Sequence, residues 1–247
     1  MSLASQRFHC QSVPFSLRPL DMTRDLHEKR FAAALASKGT SSDPVYRTVL
    51  TLLATLNRTG DLLEFGAGTG NLIRQLLEAD YKGTMTGADI LPRPDDLPPS
   101  VTWIQADLNF PLSAADSTFD AIVSTEVIEH LENPRAVFRE FHRLLRPGGT
   151  LLVTTPNQES IRSLAGLLIG RHFVAFHDAS YPAHITALLH KDFERICAET
   201  SLTSPDFYYT DFGGIPKLPH IRWQQVSWGL LKGRLFSDNL IMLTTKA

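Results

Sequence analysis

The chain has 247 residues, 43% of them hydrophobic and 20% charged, a composition typical of a globular domain rather than a disordered or fibrous chain. Its formal net charge is −2, so the overall charge gives no reason to expect that the protein binds nucleic acid. No apolar run reaches the ~18 residues of a membrane-spanning helix, and Cys10 and Cys197 match no disulfide or metal-binding spacing. These features predict a single domain, 1–247, that is soluble in the reducing cytoplasm.

Residues 1–57 are expected to form a helical arm or cap ahead of the core. The stretch 22–36, "MTRDLHEKRFAAALA", has the composition of a helix. After the break "KGTSS", Asp43 suits an N-cap and Pro44 suits the first helical position, so we expect a second helix that runs to about Leu56.

Residues 58–157 alternate short apolar runs with amphipathic stretches, and they predict the core. The expected strands are "DLLEF", "GTMTGADI", "VTWIQAD", "FDAIVST" and "TLLVTTPN"; helices are expected at "GNLIRQLLEADY", at the short segment "EVIEHL" and at "NPRAVFREFHRLLRPGG". Later in the chain, "DFYYTDF" and "LIMLTTKA" add two strands. The prediction is an α/β fold with a doubly wound, mostly parallel seven-stranded sheet whose final strand is antiparallel.

Two segments, 158–190 and 213–236, are longer than a simple connection requires, and we expect both to be lids or binding loops. The first is apolar around Arg171 and His172, and the second carries Trp223 and Trp228 among basic residues. An aromatic lid suits an aromatic or prenyl-bearing substrate. Two alternatives stay open: the tryptophans pack the lid onto the body, or the segment lies on a membrane surface.

The stretch "LLEFGAGTG" leads from a buried strand into three glycines, Gly66, Gly68 and Gly70. It lacks the Gly-Lys-Ser/Thr ending of a phosphate-binding loop. It also lacks the sixth-position glycine of a dinucleotide fingerprint, because Asn71 stands there. By itself the loop is also compatible with a tight strand-to-helix turn without a ligand.

Three acidic residues narrow the choice of ligand, since each stands at the carboxyl end of a predicted strand. Glu64 suits a cationic amino group, and Asp89 can accept both hydroxyls of a ribose. Asp107 can accept a hydrogen bond from an adenine amino group, and Ile90 and Leu108 can pack on the two faces of the purine. An amino acid, a ribose and an adenine without a phosphate describe S-adenosylmethionine.

The motifs "LLEFGAGTG", "GADI", "QADL", "FDAIVSTEVIEHL" and "LLRPGGTLLVTTPN", in this order, resemble the class I S-adenosylmethionine-dependent methyltransferases over about residues 58–157. Within that class the chain is similar to the ubiquinone-pathway O-methyltransferases and the methyltransferase type 11 group. The resemblance implies S-adenosylmethionine as cofactor and implies cofactor-binding roles by position. The residues that it implies bind the methionine end, the ribose or the adenine, or line the pocket, are Glu64, Gly66, Ala67, Gly68, Gly70, Asp89, Ile90, Asp107, Leu108, Thr125 and Glu126.

The segment "EVIEH" carries Glu126, Glu129 and His130, which would share one face of a helix. The same segment occurs in two metal-using groups, the ubiquinone-pathway enzymes and the small-RNA 3′-terminal 2′-O-methyltransferases. The RNA group adds a histidine nine residues before a phenylalanine, as His184 here precedes Phe193. This resemblance implies a divalent metal held by Glu126, Glu129, His130 and His184. In the alternative, the pair Glu129–His130 orients the segment without a metal.

Without a metal, a histidine is the expected general base, in the order His130, His184 and His177, with Glu129 beside it. The function we predict is O-methylation of a small hydroxylated molecule, aromatic or quinol-like. The alternatives are metal-assisted 2′-O-methylation of an RNA 3′ end, N- or C-methylation of a small metabolite, and a non-catalytic cofactor-binding module. The sequence does not constrain the oligomeric state.

Overall fold

The computed structural model of the protein describes residues 28–32, 34–35, 39–56 and 59–247. Residues 28–32 and 34–35 are helical, and six further helices follow: α1 (Asp43–Thr55), α2 (Asn71–Glu78), α3 (Pro134–Leu144), α4 (Ile161–Gly170), α5 (His190–Glu199) and α6 (Trp223–Val226). The strands are β1 (Leu62–Phe65), β2 (Met85–Asp89), β3 (Val101–Gln105), β4 (Phe119–Thr125), β5 (Leu145–Pro156), β6 (Asp206–Tyr209), β7 (Gly214–Ile215), β8 (Leu218–Arg222) and β9 (Asn239–Thr245).

Seven strands form one sheet in the order β3-β2-β1-β4-β5-β9-β6. The first five pair in parallel, whereas β9 runs antiparallel to both β5 and β6. The predicted fold class is therefore confirmed, including the antiparallel final strand. Because β1 and β4 are neighbours while β2 and β3 lie beyond β1, the strand order reverses at β1, where open α/β sheets bind their ligands.

The central strands have apolar residues on both faces because helices cover both sides of a parallel sheet. All four residues of β1 are buried, and six of the seven residues of β4 are buried. Leu63 and Phe65 belong to one apolar core and Leu62 to the other, so alternate residues of one strand stabilise opposite layers.

Two predicted helices differ from the structure. The helix expected over 133–149 has the predicted start, since the Asn133 side chain accepts a hydrogen bond from the Ala136 amide at 3.1 Å. It ends at Leu144, where the chain enters β5 and residues 145–149 extend the strand instead of the helix. The segment "EVIEHL" is also not an α-helix: a three-residue 3-10 turn, Ile128–His130, replaces it. Most of the helix expected over 22–36 lies outside the described residues.

The two insertions have structure of their own and pack together. The first contains α4 and two 3-10 turns, Val174–Phe176 and Asp178–Ser180; the second contains a hairpin of β7 and β8 followed by α6. The Ile161 amide donates to the Leu235 carbonyl at 2.9 Å, and Arg162 and Arg222 both pair with Asp238. Among the helices of the described ranges, none has the length and apolarity to cross a membrane.

Candidate functional site

A cavity of about 720 Å³ opens at the carboxyl ends of β1, β2 and β4. This volume is in the range of small-molecule sites. Its walls come from the N-terminal arm, the strand ends, the 3-10 turn after β4 and the first insertion. Most of the predicted cofactor and catalytic residues line it, namely Glu64, Gly66, Gly68, Asp89, Ile90, Asp107, Leu108, Thr125, Glu126, Glu129, His130 and His184.

The glycine loop needs glycine for two physical reasons. Gly66 and Gly68 adopt φ of +86° and +52°, a region that side-chain-bearing residues rarely occupy. A Cβ on Gly66 would overlap the Val127 side chain, and one on Gly68 would overlap the backbone carbonyl of Gly39. Ala67 and Gly70 belong to the loop but lie behind the cavity wall, Ala67 in an apolar core and Gly70 as the N-cap of α2.

Glu64 is buried below this loop, with 2% of its surface exposed. Burial raises the pKa of the Glu64 carboxyl well above its usual range, and a hydrogen bond from the Ile73 backbone amide opposes that rise. Its Oε2 is buried without a hydrogen-bond partner among the described residues. A buried carboxylate oxygen without a partner is costly, so this atom fits the cationic amino group of an amino-acid ligand.

Asp89 ends β2 and connects the strand to the glycine loop. Its Oδ2 accepts a hydrogen bond from the Gly68 amide at 2.7 Å, and its Oδ1 accepts one from the Leu91 amide at 2.8 Å. Burial raises the pKa of Asp89, while these amides oppose the rise. Each carboxylate oxygen keeps a second lone pair, so the group can also accept hydroxyls from the cavity.

Asp107 stands at the next strand end and is held from two sides. Its Oδ1 accepts hydrogen bonds from the backbone and side chain of Asn109, both at 3.0 Å, and its Oδ2 pairs with Arg30 at 2.6 Å. Burial alone would raise the pKa of Asp107, but the hydrogen bonds from Asn109 and Arg30 outweigh burial and lower it. Arg30 also pairs with Glu132 at 2.6 Å, so the N-terminal arm closes this end of the cavity.

Glu126 does not share a helix face with Glu129 and His130, contrary to the prediction. Its φ is +56°, and it precedes the 3-10 turn. Its carboxylate accepts hydrogen bonds from the Thr154 hydroxyl at 3.1 Å and from the side-chain amide of Asn239 at 2.9 Å. Burial raises the pKa of the Glu126 carboxyl well above its usual range, and the charge of Glu129 adds to that rise.

Glu129 is fully buried beside the cavity. Its Oε2 accepts a hydrogen bond from the Thr155 hydroxyl at 3.2 Å, whereas its Oε1 has no partner among the described residues. Burial raises the pKa of Glu129 above that of an exposed carboxyl. Thr125 Oγ1 is a further buried atom of the cavity wall without a described partner. These unpaired atoms indicate that the cavity is shaped for polar groups of a ligand.

His130 and His184 face one another with ring centroids 4.8 Å apart. The first insertion brings them together, because the amides of Ile185 and Thr186 donate to the Glu129 carbonyl at 2.9 and 3.0 Å. His130 Nδ1 lies 2.8 Å from the Ala183 carbonyl, and His184 Nδ1 lies 2.6 Å from the carbonyl of residue 175. A carbonyl only accepts, so each Nδ1 carries a proton and each Nε2 keeps its lone pair in the neutral ring.

Burial lowers the pKa of both imidazoles, and for His184 the neighbouring His130 lowers it further. Backbone carbonyls partly oppose the shift in each case. Both rings are therefore neutral at pH 7 and able to accept a proton or a metal. The third candidate base, His177, is exposed and does not line the cavity.

Ligand atoms of Glu129, His130 and His184 lie within 4.8 Å of one another, a spacing that could hold a metal ion. Glu126, the fourth predicted ligand, is not in this group, since Thr154 and Asn239 hold its carboxylate elsewhere. The mixed carboxylate and imidazole donors fit Mn²⁺, Fe²⁺ or Zn²⁺ better than Mg²⁺.

Arg30 and Tyr46 are among the cavity residues of the N-terminal region that were not singled out from the sequence. Arg30 reaches Asp107 across 77 residues of chain, and no local pattern signals that pairing. Tyr46 lies on α1, and its hydroxyl accepts a hydrogen bond from the Ser41 amide at 2.8 Å. Tyr46 is buried at the helical spacing of Val45 and Val49, so the pattern signals a packed residue and not a cavity wall.

Known proteins with similar sequences are methyltransferases. A malonyl-[acyl-carrier protein] O-methyltransferase of Hahella chejuensis is 30% identical over 146 residues, which is 53% of this chain and 51% of that protein. A ubiquinone biosynthesis O-methyltransferase of Parvibaculum lavamentivorans is 38% identical over 63 residues, 26% of this chain and 24% of that protein. The chain thus matches about half or less of the length of these relatives.

Among solved structures, a Burkholderia thailandensis 1,6-didemethyltoxoflavin-N1-methyltransferase with bound S-adenosylhomocysteine has the same fold. The TM-score is 0.60 at 14% identity, and the match covers 96% of this chain and 93% of that chain. A family model for a methyltransferase domain matches residues 31–203, the range that holds the glycine loop, the three strand-end acids and the histidine pair. The chain therefore belongs to the methyltransferase-domain family, among the class I S-adenosylmethionine-dependent methyltransferases.

Proposed function

We propose that this protein transfers a methyl group from S-adenosylmethionine to a hydroxyl of a small aromatic or quinol-like molecule. The observation that carries the proposal is the pairing of two features in one cavity. One side offers a buried carboxylate oxygen without a partner, Glu64 Oε2, beside the glycine loop. The other side offers two neutral imidazoles, His130 and His184, whose Nδ1 atoms are held by backbone carbonyls.

The cofactor half would bind through the chain's own acceptors. Glu64 would hold the amino group, Asp89 the ribose hydroxyls and Asp107 the adenine amino group, with Ile90 and Leu108 against the purine. When bound, S-adenosylmethionine supplies a methyl group on a positively charged sulfur. The residues then need only to align the acceptor and remove its proton. Alignment alone can lower the activation free energy of such a reaction by up to about 7–11 kcal/mol.

The histidine pair would provide the general base. Nε2 of His130 or His184 would accept the hydroxyl proton as the acceptor oxygen takes up the methyl group and the sulfur leaves with the electron pair of the C–S bond. Because a charge on one ring disfavours a charge on the other, the pair takes up one proton per turnover. Glu129, buried one residue before His130, would position the pair, because its backbone carbonyl accepts hydrogen bonds from the amides of Ile185 and Thr186.

The choice of a small hydroxylated acceptor is supported by the names of relatives. One is a ubiquinone biosynthesis O-methyltransferase, and a further one, 34% identical over 118 residues, is a 2-methyl-6-phytyl-1,4-hydroquinone methyltransferase of Synechocystis. The low net charge and the apolar first insertion favour the same class over RNA. N- or C-methylation remains the alternative for the acceptor atom, as the N1-methyltransferase fold neighbour illustrates.

The test is calorimetric titration with S-adenosylmethionine, followed by transfer assays on a panel of catechols, quinols and matched amines. Binding together with methylation of the oxygen acceptors supports the proposal. A protein that binds the cofactor but methylates only amines or carbon acceptors contradicts O-methylation. Failure to bind at millimolar cofactor contradicts the enzyme itself and favours a binding module without activity.

A second candidate, metal-assisted methylation of a hydroxyl such as the 2′-hydroxyl of an RNA 3′ end, is favoured by the Glu129–His130–His184 group. A divalent ion there would lower the pKa of a bound hydroxyl. We expect a chelator to abolish transfer and added Mn²⁺ to restore it if this candidate is right. Full activity in excess chelator, or in Glu129→Ala, would rule it out.

A further inference from the structure

The two insertions expose large apolar side chains that the proposed reaction does not use. On α4, Leu168 is 84% exposed and Ile169 is 69% exposed. On the second insertion, Trp228 is 94% exposed and Leu230 is 83% exposed. Scattered apolar residues are ordinary on a protein surface, but several large ones on two segments packed together mark an interaction site.

The second insertion holds Trp228 outward through its own hydrogen bonds. Trp228 has φ of +51°, a conformation that is strained for a side chain of this size. Gln224 Nε2 donates to the carbonyls of Leu231 at 2.8 Å and Phe236 at 3.0 Å, and the Leu231 amide donates to the Ser227 hydroxyl at 3.0 Å. By contrast Trp223 packs on Phe236, with ring centroids 5.4 Å apart. The loop is thus built so that one tryptophan packs inside and the other stays outside.

The charge of these segments differs from that of the rest of the chain. The two insertions, 158–190 and 213–236, contain six of the 24 lysines and arginines and only two of the 26 acidic residues, Glu159 and Asp178, although the chain as a whole has a net charge of −2. Three of the six are in ion pairs: Arg162 and Arg222 with Asp238, and Arg234 with Glu159. Arg171, Lys217 and Lys232 are exposed, and their side chains form no ion pair within the described part of the chain.

We propose that this surface, formed by α4 and residues 213–236, docks on an anionic lipid membrane. Exposed leucine, isoleucine and tryptophan side chains, on segments that also carry basic groups without an ion pair among the described residues, match the interfacial region of a bilayer, where acyl chains meet negative headgroups. A second copy of the chain fits less well, because it would bring the same positive charges face to face. An acidic protein partner is the remaining occupant, and the experiment below distinguishes it.

A chain of contacts links this surface to the cavity. The backbone of α4 at Gly166 lies against Val174, and the 3-10 turn Val174–Phe176 in turn contacts His184, with the Phe176 ring centroid 5.5 Å from that of the imidazole. Docking would therefore act on the element that supports His184. This connection suits an acceptor that partitions into lipid, a refinement that rests on the proposed function; membrane docking itself does not.

The test is co-sedimentation of the full chain, without cofactor or acceptor, with vesicles of equimolar phosphatidylcholine and phosphatidylglycerol. Binding should weaken in high salt and with pure phosphatidylcholine. Leu168→Glu and Trp228→Glu should each reduce partitioning by at least about tenfold. Lys217→Gln and Lys232→Gln should each reduce it by about fivefold. Phe110→Glu and Lys82→Gln, exposed residues of the β1–β3 half of the sheet, are the matched controls and should bind like the wild type.

Three results would overturn the proposal. The wild type remains in the supernatant with anionic vesicles, or the two apolar variants bind as the wild type does. In the third, size-exclusion chromatography shows a wild-type dimer that Trp228→Glu disperses, which would make a second copy the occupant. Because the assay needs no catalysis, a protein that methylates nothing but docks on vesicles separates failure of the proposed function from failure of this inference.

Discussion

The two halves of the cavity are built differently. The cofactor half consists of short loops that directly follow buried strands, and each acid there is held by nearby backbone amides, as Asp89 is by Gly68 and Leu91. The proposed acceptor half depends on an insertion: the Glu129 carbonyl accepts from the amides of Ile185 and Thr186, and the Ala183 carbonyl contacts the His130 ring, which together hold His184 beside His130. Under the proposed function, a cofactor site on fixed strand ends and an acceptor site made by an insertion would let one sheet keep its cofactor while its substrates change.

The largest effect should come from the acceptor half. His130→Gln removes the proposed base and should lower kcat by about 10²–10⁴-fold while leaving the Kd for S-adenosylmethionine within about threefold. Since burial lowers the pKa of His130, wild-type activity should persist at pH 7 and decline as the pH falls through that lowered value. Steady-state kinetics and calorimetry on the same sample check this.

His220→Gln, at an exposed position that does not line the cavity, is the control and should leave kcat unchanged. If His130→Gln weakens cofactor binding as much as it lowers kcat, the two halves are not separable, and the comparison above fails.

A slightly smaller effect is expected for the cofactor half. Asp89→Ala removes an acceptor for the ribose hydroxyls and leaves the amides of Gly68 and Leu91 without partners. We expect a loss of about 3–4 kcal/mol, which is a rise in cofactor Kd of about 100–1,000-fold. Calorimetric titration measures the change, and Asp96→Ala, an exposed acid paired with Arg74, is the matched control. A Kd unchanged in Asp89→Ala would contradict the ribose assignment.

The same contrast explains what could be predicted from the sequence. Glu64, Asp89 and Asp107 follow buried apolar runs, and parallel strands bring their carboxyl ends to one edge, so local pattern was sufficient to place them together. The left-handed backbone of Glu126 carries no such signal, because the residue is neither glycine nor asparagine, and a helix was predicted instead.

Contacts between segments that lie far apart in the chain could not be predicted from the local sequence pattern either. Arg30 pairs with Asp107 through tertiary packing alone, and resemblance, not periodicity, brought His184 into the predicted site. Trp223 and Trp228 stand in the same apolar and basic segment of the sequence. Nevertheless, Trp223 packs on Phe236 and Trp228 is 94% exposed. The difference arises from hydrogen bonds within the loop, and the spacing of apolar residues in the sequence does not predict these bonds.

A moderate effect tests whether Glu64 meets a cation. Burial raises the pKa of Glu64 in the free protein, so a cationic amino group that favours the carboxylate should displace its proton. Cofactor affinity should therefore fall as the pH falls below that raised pKa. Titrations in two buffers of different ionisation enthalpy should show proton release, and Glu64→Gln should abolish it and weaken binding about tenfold. The exposed Glu78→Gln is the control; proton release that persists in Glu64→Gln would assign the proton to another group.

The smallest expected effect is on stability and concerns the boundary between the halves. Burial raises the pKa of Glu129, so the folded state holds a proton that the unfolded state loses as the pH rises above about 4.5. Stability is therefore lost as the pH rises from there through the folded-state pKa. Glu129→Gln carries no such penalty and should be more stable than the wild type at about pH 8, by on the order of 1–3 kcal/mol, with little difference near pH 4.5. Thermal unfolding, at roughly 2–4 °C per kcal/mol for a chain of this size, detects the change.

The same pair of proteins tests the metal. If Glu129 binds the ion, added Mn²⁺ should raise the Tm of the wild type and leave the Tm of Glu129→Gln unchanged. An equal rise in Tm in both proteins would place the metal elsewhere and leave the histidine pair as the base.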